Sequence, residues 1–402
     1  RQGTIVASLE NAAINTPLTL PVASPHLWSP EDPYLYDLDI TLSLNGEQTD
    51  AVKSYCGMRK IEVKKVNDIP RIFLNGKQIF QMGPLDQGWW PDGLYTAPSD
   101  EALLFDVKEM KELGFNMIRK HIKVEPSRWY MHCDREGILV WQDLPSPGLP
   151  AGHEAFARQN FEEEAVRIID AFENHPSIVQ WVVFNEGWGQ FDTERMTQVV
   201  IDKVSPQSLV CCASGWNDAE IGDIKDSHSY PYPSCPIDQK RACVNGEYGG
   251  ITLKVPGHIW PGGDFGYTTV ETPEDFTVMF NDLADKIKDH YYYGLNAAVY
   301  TQLSDVEIEK NGIYTYDRRI LKPYSPTGEL KDKILECINM PQSDVKIQPV
   351  VSTAKEHKYK WKFITEDNAP RHWFAKGFDD SLWPKGTAAF GKSSLWNTQG
   401  LI

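Results

Sequence analysis

Two glutamates in this sequence each follow a stretch typical of a buried β-strand. Glu186 comes two residues after the apolar run 178–184, and Glu247 ends the predicted strand 242–247 directly after a glycine. A single glutamate in such a place is also typical of a helix N-terminus or a solvated rim. Two carboxylates about 5–5.5 Å apart, however, perform retaining glycoside hydrolysis, one as acid/base and the other as nucleophile. The pair predicts that chemistry if the fold brings the two carboxyl groups together.

Eight predicted strands, mostly separated by predicted helices, would bring the two carboxyl groups together. Eight strands over about 265 residues match a (β/α)8 TIM barrel better than an open doubly wound sheet. The absence of a glycine-rich phosphate loop after any of them argues against nucleotide binding. Glu186 and Glu247 end strands 4 and 7, on opposite sides of the barrel mouth where such proteins carry their site. The predicted strands are 79–83, 115–120, 138–142, 178–184, 209–213, 224–229, 242–247 and 296–303.

β-like segments flank the barrel on both sides and predict a multidomain chain. Residues 33–44 alternate apolar and polar side chains and end at an Asn45-Gly46 turn, which predicts a half-buried strand of a β-sandwich. A second Asn-Gly turn predicts a hairpin over 71–80. We therefore expect all or part of a β-sandwich at 1–65, the catalytic barrel at 66–342, and the start of another β-sandwich, with a possible carbohydrate-binding role, at 343–402.

Composition and charge exclude several classes of protein. The net charge is −16, which disfavours nucleic acids and anionic membrane surfaces as partners. No apolar run reaches the roughly 18–20 residues that a membrane span requires. The seven cysteines contain no CxxC pair, and no metal-ligand cluster stands out, so we expect neither a metal nor another cofactor. The chain starts at Arg1 without a leader, which we interpret as a cut inside a longer protein; a polysaccharide-degrading role would suit the periplasm or the cell exterior.

Beyond the two glutamates, several segments resemble the family 2 glycoside hydrolases, which include β-galactosidases, β-glucuronidases and β-mannosidases. The order and spacing of these segments agree with that family, and the resemblance covers most of the chain. It implies that residues 1–65 are an Ig-like β-sandwich preceding a TIM barrel. The segments that carry the resemblance are 28–36, 116–121, 133–137, 175–186 and 245–250.

The resemblance also implies roles for individual residues. Glu186 would be the acid/base and Glu247 the nucleophile, with Asn185 bonded to the sugar 2-hydroxyl and Tyr230 bonded to the nucleophile. Arg119 would lie in the subsite of the cleaved sugar, where its charge would keep Glu247 ionised; a structural ion pair is the alternative. Further predicted substrate-binding residues are Asp86, His121, Trp188, Trp216, His228, Trp260 and Gln302; a packing role is the alternative for the two histidines and the three tryptophans.

These observations predict a retaining exo-β-glycosidase that removes terminal sugars from oligo- or polysaccharides and most resembles the β-galactosidases. A β-mannosidase, a β-glucuronidase and an inactive carbohydrate-binding relative are the alternatives, and the sequence leaves the oligomeric state open. A uronic acid substrate is disfavoured because residues 301–312 are acidic and lack the Asn-x-Lys pattern of glucuronidases. An inverting hydrolase would separate its carboxyl groups by about 6.5–9.5 Å.

Overall fold

A computed structural model describes residues 3–146, 148, 154–340, 360–363, 370 and 379–387 of the chain. The chain divides into two compact units, residues 1–345 and 346–402. Among the described helices, none has both the length and the apolar character that crossing a membrane requires.

The first described sheet has two antiparallel strands, β1 (Tyr36–Leu44) and β2 (Glu47–Cys56). They are joined at Asn45 and Gly46, whose φ angles of 52° and 86° suit a tight hairpin turn and confirm the predicted turn. Most of β1 is exposed on both faces, so the prediction of a half-buried strand is wrong. The reason is that this sheet consists of only two strands. The Ig-like sandwich at 1–65 stays a prediction.

A second small sheet covers the amino-terminal end of the barrel. It consists of β3 (Ile61–Val66), β4 (Ile69–Leu74) and β5 (Lys77–Gln78), and β4 and β5 form the predicted hairpin. The Arg71 guanidinium donates to the carbonyl of Leu295 at 2.9 Å, and the buried Trp28 packs in the same apolar cluster as Ile72. Because this end is filled by apolar packing, only the opposite end of the barrel is left for a site.

Eight parallel strands form the barrel, and each predicted strand is confirmed within a few residues. Their order around the sheet is β10-β9-β8-β7-β6-β15-β12-β11. The two ends of this order meet where the amide of Asp223 donates to the carbonyl of Val210 at 2.8 Å. The strands are β6 (Gln81–Asp86), β7 (Met117–Lys120), β8 (Leu139–Asp143), β9 (Ile178–Asn185), β10 (Leu209–Ser214), β11 (Ile224–His228), β12 (Ala242–Gly249) and, after a short pair β13 (Ile251–Thr252) and β14 (Thr268–Thr269), β15 (Leu295–Thr301).

Six helices among the described residues surround the strands, and local sequence explains where they begin and end. The side chain of Ser99 accepts from the amide of Ala102 and caps α1, and Gly137, with φ 74°, ends α2. The connections β10–β11 and β11–β12 contain no helix, so the barrel lacks part of the regular (β/α)8 outer ring. The helices are α1 (Asp100–Glu112), α2 (Ser127–Glu136), α3 (Glu154–Phe172), α4 (Thr193–Val204), α5 (Pro273–Tyr293) and α6 (Glu329–Ile338).

The second unit is described in part. Strands β16 (Lys360–Lys362) and β17 (Lys385–Thr387) pair antiparallel, in line with the β character predicted there. Most of the β-sandwich predicted for 343–402 lies outside the described residues and stays a prediction.

Candidate active site

The barrel strands end in polar residues at one rim, where the sites of such barrels are found. Glu247 lies two residues before the end of β12. The other barrel strands end at Asp86, Lys120, Asp143, Asn185, Ser214, His228 and Thr301.

Glu186 and Glu247 face each other across this rim. One oxygen of each carboxyl group and one ring nitrogen of His228 all lie within 4.8 Å of one another. Nδ1 of His228 is 3.0 Å from Oε1 of Glu186 and 3.5 Å from Oε2 of Glu247. This separation fits the short spacing of retaining glycosidases and falls well below the roughly 6.5–9.5 Å of inverting ones.

A backbone turn aims Glu186 into the rim. The residue has a φ of 55°, an uncommon left-handed conformation for a residue other than glycine. Its amide donates to the carbonyl of Ser214 at 2.7 Å, and Nε1 of Trp188 donates to its Oε2 at 2.7 Å. The chain therefore turns sharply after β9, and both the backbone and the carboxylate of Glu186 are fixed.

A glycine allows the backbone before Glu247 to approach its neighbour. A Cβ atom on Gly246 would lie 2.2 Å from Oδ2 of Asp226, and the amide of Gly246 donates to Oδ1 of Asp226 at 2.6 Å. The carbonyl of Gly246 accepts from Nη1 of Arg119 at 2.9 Å. A larger residue at position 246, directly before the nucleophile candidate, would therefore clash with Asp226.

Arg119 is the buried centre of the site, with a fully inaccessible side chain. It pairs with both oxygens of Asp143 at 3.1 and 2.9 Å, and Nη2 donates to Oδ1 of Asn185 at 2.7 Å. Nη1 lies 3.3 Å from Oε1 of Glu247. Arg119 therefore forms a structural ion pair with Asp143 and places a positive charge beside Glu247, whereas its predicted contact with the sugar stays a prediction.

The electrostatics of Glu247 favour its ionised form. Burial alone would raise the pKa of this carboxyl, but the charges of His228, Arg119 and His121 and the hydrogen bond from Tyr230 outweigh burial. The net effect is a pKa below the ordinary value for glutamate. An ionised Glu247 is what a nucleophile requires.

His228 lies between the two glutamates. Oγ of Ser214 lies 2.5 Å from Oδ2 of Asp226 and 2.8 Å from Nε2 of His228. The opposite ring nitrogen, Nδ1, is 3.0 Å from Oε1 of Glu186. Burial would lower the pKa of His228, but the charge of Glu247, the hydrogen bond to Glu186 and the charge of Asp226 raise it.

Tyr230 lies on the other side of Glu247. Its hydroxyl donates to Oε2 of Glu247 at 2.6 Å and is 2.8 Å from Oγ1 of Thr301. Its ring stacks on Tyr267 with centroids 3.5 Å apart and planes within 4° of parallel. Burial first, and then the charge of Glu247, raise the pKa of Tyr230, so the hydroxyl keeps its proton.

Asn185 and His121 also border the cleft. Because Arg119 only donates, Asn185 must present Oδ1 to it, which leaves the amide Nδ2 to donate to a ligand. Nδ1 of His121 is 3.1 Å from Asp143, and the ring is partly exposed. Both positions fit the predicted contacts with a sugar, which stay predictions.

The structure corrects the expectation for Asp86. This residue is ion-paired with Lys120, and its other oxygen accepts from the amide of Gly88 at 2.7 Å. The side chain is 2% exposed. Because both oxygens have internal partners, Asp86 holds the loop after β6 and is not placed to bind a sugar.

The three predicted tryptophan platforms have different surroundings. Trp188 is 65% exposed beside Glu186, and Trp216, 46% exposed, contacts the His228 ring edge-on at 5.9 Å. Trp260 packs edge-on against Tyr316 at 5.1 Å. The first two therefore border the acid/base candidate, whereas a sugar contact for Trp260 stays a prediction without a structural link to the glutamates.

Gln302 belongs to a cluster that the sequence did not reveal. Its Nε2 donates to Oε2 of Glu309 at 2.9 Å, and its Oε1 accepts from Gln87 at 3.0 Å. Glu309 and the buried Asp143 were both missed as site residues. Asp143 ends β8 directly after the predicted strand 138–142, so the rule that found Glu186 would have found it; Glu309 lies in a loop and carried no such signal.

Glu186, His228 and Glu247 have the donor types of a metal site. In the structure these groups contact protein atoms: the ring nitrogens of His228 lie 2.8 Å from Oγ of Ser214 and 3.0 Å from Oε1 of Glu186, and Nη1 of Arg119 lies 3.3 Å from Oε1 of Glu247.

Two carboxylates face each other at the rim of this barrel, Glu247 as the nucleophile candidate and the partly exposed Glu186 as its partner. This arrangement is typical of glycoside hydrolases. Two protein-family models match the chain: "Glycosyl hydrolases family 2" over residues 2–59 and "Glycosyl hydrolases family 2, TIM barrel domain" over residues 65–335. The second covers more than half of the chain. The chain therefore belongs to glycosyl hydrolase family 2, a family of retaining O-glycosyl hydrolases.

Individual relatives divide between two substrate types. The chain is 32% identical over 176 residues to a β-galactosidase of Lactococcus lactis, an alignment of 42% of this chain and 17% of that protein. It is 31% identical over 192 residues to a β-glucuronidase of Bacteroides fragilis, covering 45% of this chain and 26% of that protein. The matched stretches are thus a minor part of these relatives.

The fold is similar to that of a solved β-glucuronidase from Bifidobacterium dentium, with a TM-score of 0.64 and 20% identity. The superposition covers 83% of this chain and 59% of that one. This likeness concerns the fold alone.

Proposed function

We propose that this chain carries the active site of a retaining exo-β-glycosidase that removes terminal β-linked sugars from oligo- or polysaccharides, with a β-galactosidase-like preference. The observation that carries the proposal is the approach of Glu186 and Glu247, whose nearest carboxylate oxygens lie within 4.8 Å of each other. The similarity to the Lactococcus β-galactosidase supports the sugar preference.

In the first step Glu247 attacks the anomeric carbon. Its lowered pKa keeps it ionised, and the hydrogen bonds from Tyr230 and Arg119 fix both of its oxygens. Glu186 protonates the leaving oxygen as the bond between sugar and aglycone breaks. The product of this step is a glycosyl ester on Glu247 and the released aglycone alcohol.

In the second step Glu186, now ionised, takes a proton from water, and the water oxygen attacks the anomeric carbon of the ester. Glu247 leaves as a carboxylate, and the sugar is released with its original anomeric configuration. The partial exposure of Glu186, 16% of its side chain, is consistent with access for this water.

Asn185 supports both steps through the sugar 2-hydroxyl. Its Oδ1 is held by Arg119, so Nδ2 is fixed as a donor on the nucleophile side. Hydrogen bonds at this hydroxyl strengthen as the oxocarbenium-like transition state develops. Trp188 and Trp216, exposed beside Glu186, suit the aglycone sugar by ring stacking.

A panel of 4-nitrophenyl β-glycosides (galactoside, glucoside, mannoside, glucuronide and galacturonide) tests the function. We expect the galactoside to have the highest kcat/KM. We also expect Glu247→Gln to abolish turnover while circular dichroism and melting temperature stay near the wild-type values. Normal turnover by this variant would overturn the nucleophile assignment.

Stereochemistry and trapping make the test sharper. Proton NMR during hydrolysis should show the β-anomer of the sugar as the first product. A 2-deoxy-2-fluoro-β-galactosyl fluoride should add one glycosyl mass to a peptide containing Glu247. A preferred mannoside or glucuronide would move the enzyme to the alternative specificities, and no turnover of any substrate would favour the inactive carbohydrate-binding relative.

A further inference from the structure

Glu309 is a third carboxylate at the barrel rim, and the catalytic steps above do not use it. It lies in the loop after β15, and its Oε2 accepts from Nε2 of Gln302 at 2.9 Å and from Nε2 of Gln87 at 3.1 Å. Gln87 also donates to Oε1 of Gln302 at 3.0 Å, and Gln302 donates to Oδ1 of Asn311 at 2.8 Å. Two neutral amides, which follow the neighbouring strands β6 and β15, therefore fix this carboxylate in one orientation.

This amide–carboxylate cluster is next to the nucleophile candidate. Gln302 follows Thr301, whose Oγ1 is 2.8 Å from the hydroxyl of Tyr230, and that hydroxyl donates to Glu247. Glu309 also feels the charges of His121 and Glu247 directly: burial first, and then the Glu247 charge, raise its pKa, and His121 opposes them. The cluster therefore borders the place where the cleaved sugar would lie.

Glu309 has no charged partner of its own. Within the described part of the chain, no lysine, arginine or histidine nitrogen lies within 4.0 Å of it, and its Oε1 contacts no protein donor. The neighbouring Lys310 pairs with Asp264 instead. Because two amide donors hold Oε2 and no described protein donor contacts Oε1, Oε1 is the oxygen left to accept from a ligand.

The hydrogen bonds from Gln302 and Gln87 favour the ionised form of Glu309, against burial and the Glu247 charge, which raise its pKa. In that form the carboxylate is an acceptor only, and its two oxygens accept hydrogen bonds from adjacent hydroxyls. The same group repels an anion in a site of low dielectric constant. Resting on the glycosidase function proposed above, we propose that Glu309 is a specificity-determining residue: it binds hydroxyl groups of a neutral terminal sugar and rejects a uronic acid. Gln87 and Gln302 are the positioning residues that hold it.

The test compares the wild-type chain with Glu309→Gln and with a matched control, Glu307→Gln. Glu307 lies two residues earlier in the same loop and is exposed, so the same substitution there leaves the site unchanged. The measured quantity is the ratio of kcat/KM for 4-nitrophenyl β-galactoside to that for the β-glucuronide and β-galacturonide. We expect Glu309→Gln to lower this ratio at least about 10-fold, through slower galactoside and faster uronide cleavage, and Glu307→Gln to preserve it.

The ratio separates recognition from a merely structural role, because general damage to the site lowers both rates by the same factor. A wild-type chain that cleaves galactoside, with an unchanged ratio in Glu309→Gln, overturns the inference and leaves the proposed function intact. A wild-type preference for uronides overturns both the inference and the galactosidase-like preference, while leaving a glycosidase.

Binding provides a readout that does not need turnover. The measurement is calorimetric titration with galacto-configured deoxynojirimycin and with its 6-carboxylate analogue. It tests the role of Glu309 even if the proposed function fails and no glycoside is hydrolysed. We expect the wild type to bind the neutral iminosugar at least about 10-fold more tightly than its carboxylate, and Glu309→Gln to narrow that difference. Equal preferences in the wild type and the variant overturn the inference.

Discussion

Nη1 of Arg119 lies 3.3 Å from Oε1 of Glu247, and the two side chains are 0% and 8% exposed. In such a protected place a carboxyl group would ordinarily favour its neutral form, since burial raises its pKa. Here the charges of His228 and Arg119 outweigh burial. The two carboxyl groups of the site therefore have different surroundings. Glu247 is buried beside Arg119 and His228, whereas Glu186 is at the edge beside Trp188.

Of these two residues, His228 can be replaced with less disturbance to the site, because Arg119 also holds Asp143 and Asn185. His228→Gln replaces the imidazole by a neutral amide. Because the charge of His228 lowers the pKa of Glu247, that pKa should rise in the variant. Since Glu247 must be ionised to attack, the acidic limb of the profile of kcat/KM against pH should move to higher pH. Steady-state kinetics between pH 4 and 9 provide the profile. An unmoved acidic limb would contradict the electrostatic role of His228.

The hydroxyl of Tyr230 should contribute to the reaction beyond its packing. Tyr230→Phe keeps the ring stacked on Tyr267 and removes the 2.6 Å hydrogen bond to Glu247. Hydrogen bonds to charged groups contribute about 1.5–3 kcal/mol, so kcat/KM should fall by about 10- to 150-fold. Tyr232→Phe is the matched control, since that ring is 50% exposed in the same loop. Equal activity of the two variants would show that the hydrogen bond is dispensable.

Asp143 should couple stability to pH. Burial would raise its pKa, but Arg119 and His121 lower it below the ordinary value of 3.8, so its pairing stabilises the fold above that pH and is lost as pH falls through the folded pKa. Asp143→Asn leaves Arg119 without its main partner and should lower the free energy of unfolding at pH 7 by about 3–5 kcal/mol.

Urea unfolding at pH 7, 5 and 3 measures this effect, and the difference between the wild type and Asp143→Asn should shrink at pH 3. The control is Asp170→Asn, which removes a surface pair with Lys203 whose side chains are 53% and 36% exposed. That variant should change the free energy of unfolding by less than about 1 kcal/mol at any of these pH values. A difference for Asp143→Asn that stays constant with pH would refute the coupling.

The barrel was predictable because its strands are buried on both sides. Every residue of β9 is buried, and its apolar run is visible in the sequence without knowledge of the fold. Period-two alternation predicted β1 as a strand but not its exposure, because burial depends on whether a second sheet covers it, which is a long-range property. The helix-free connections β10–β11 and β11–β12 are likewise set by packing rather than by local pattern.

The candidate site was predictable where a residue lies at or near the carboxyl end of a strand, as Glu186 and Glu247 do. Asp86 also ends a strand, but it pairs with Lys120 of the next strand. Whether such a carboxylate faces the cleft or pairs internally therefore depends on a residue distant in sequence. Glu309 reaches the rim from a loop whose course is fixed by contacts distant in sequence, such as the hydrogen bond from Phe265 to Ile308. No spacing rule relates it to the glutamates.

The acid/base role of Glu186 should depend on the leaving group. Glu186→Ala should lower kcat/KM by about 10²–10⁴-fold for an alkyl β-glycoside, whose leaving oxygen must be protonated, and far less for a 2,4-dinitrophenyl glycoside. Azide should enter the space of the lost carboxylate and give the β-glycosyl azide, whereas Glu247→Ala should give the α-glycosyl azide. Rates and product anomers follow from spectrophotometry and NMR. Glu194→Ala, an exposed position in α4, should match the wild type. Equal losses on both substrates, without an azide product, would remove Glu186 from the reaction.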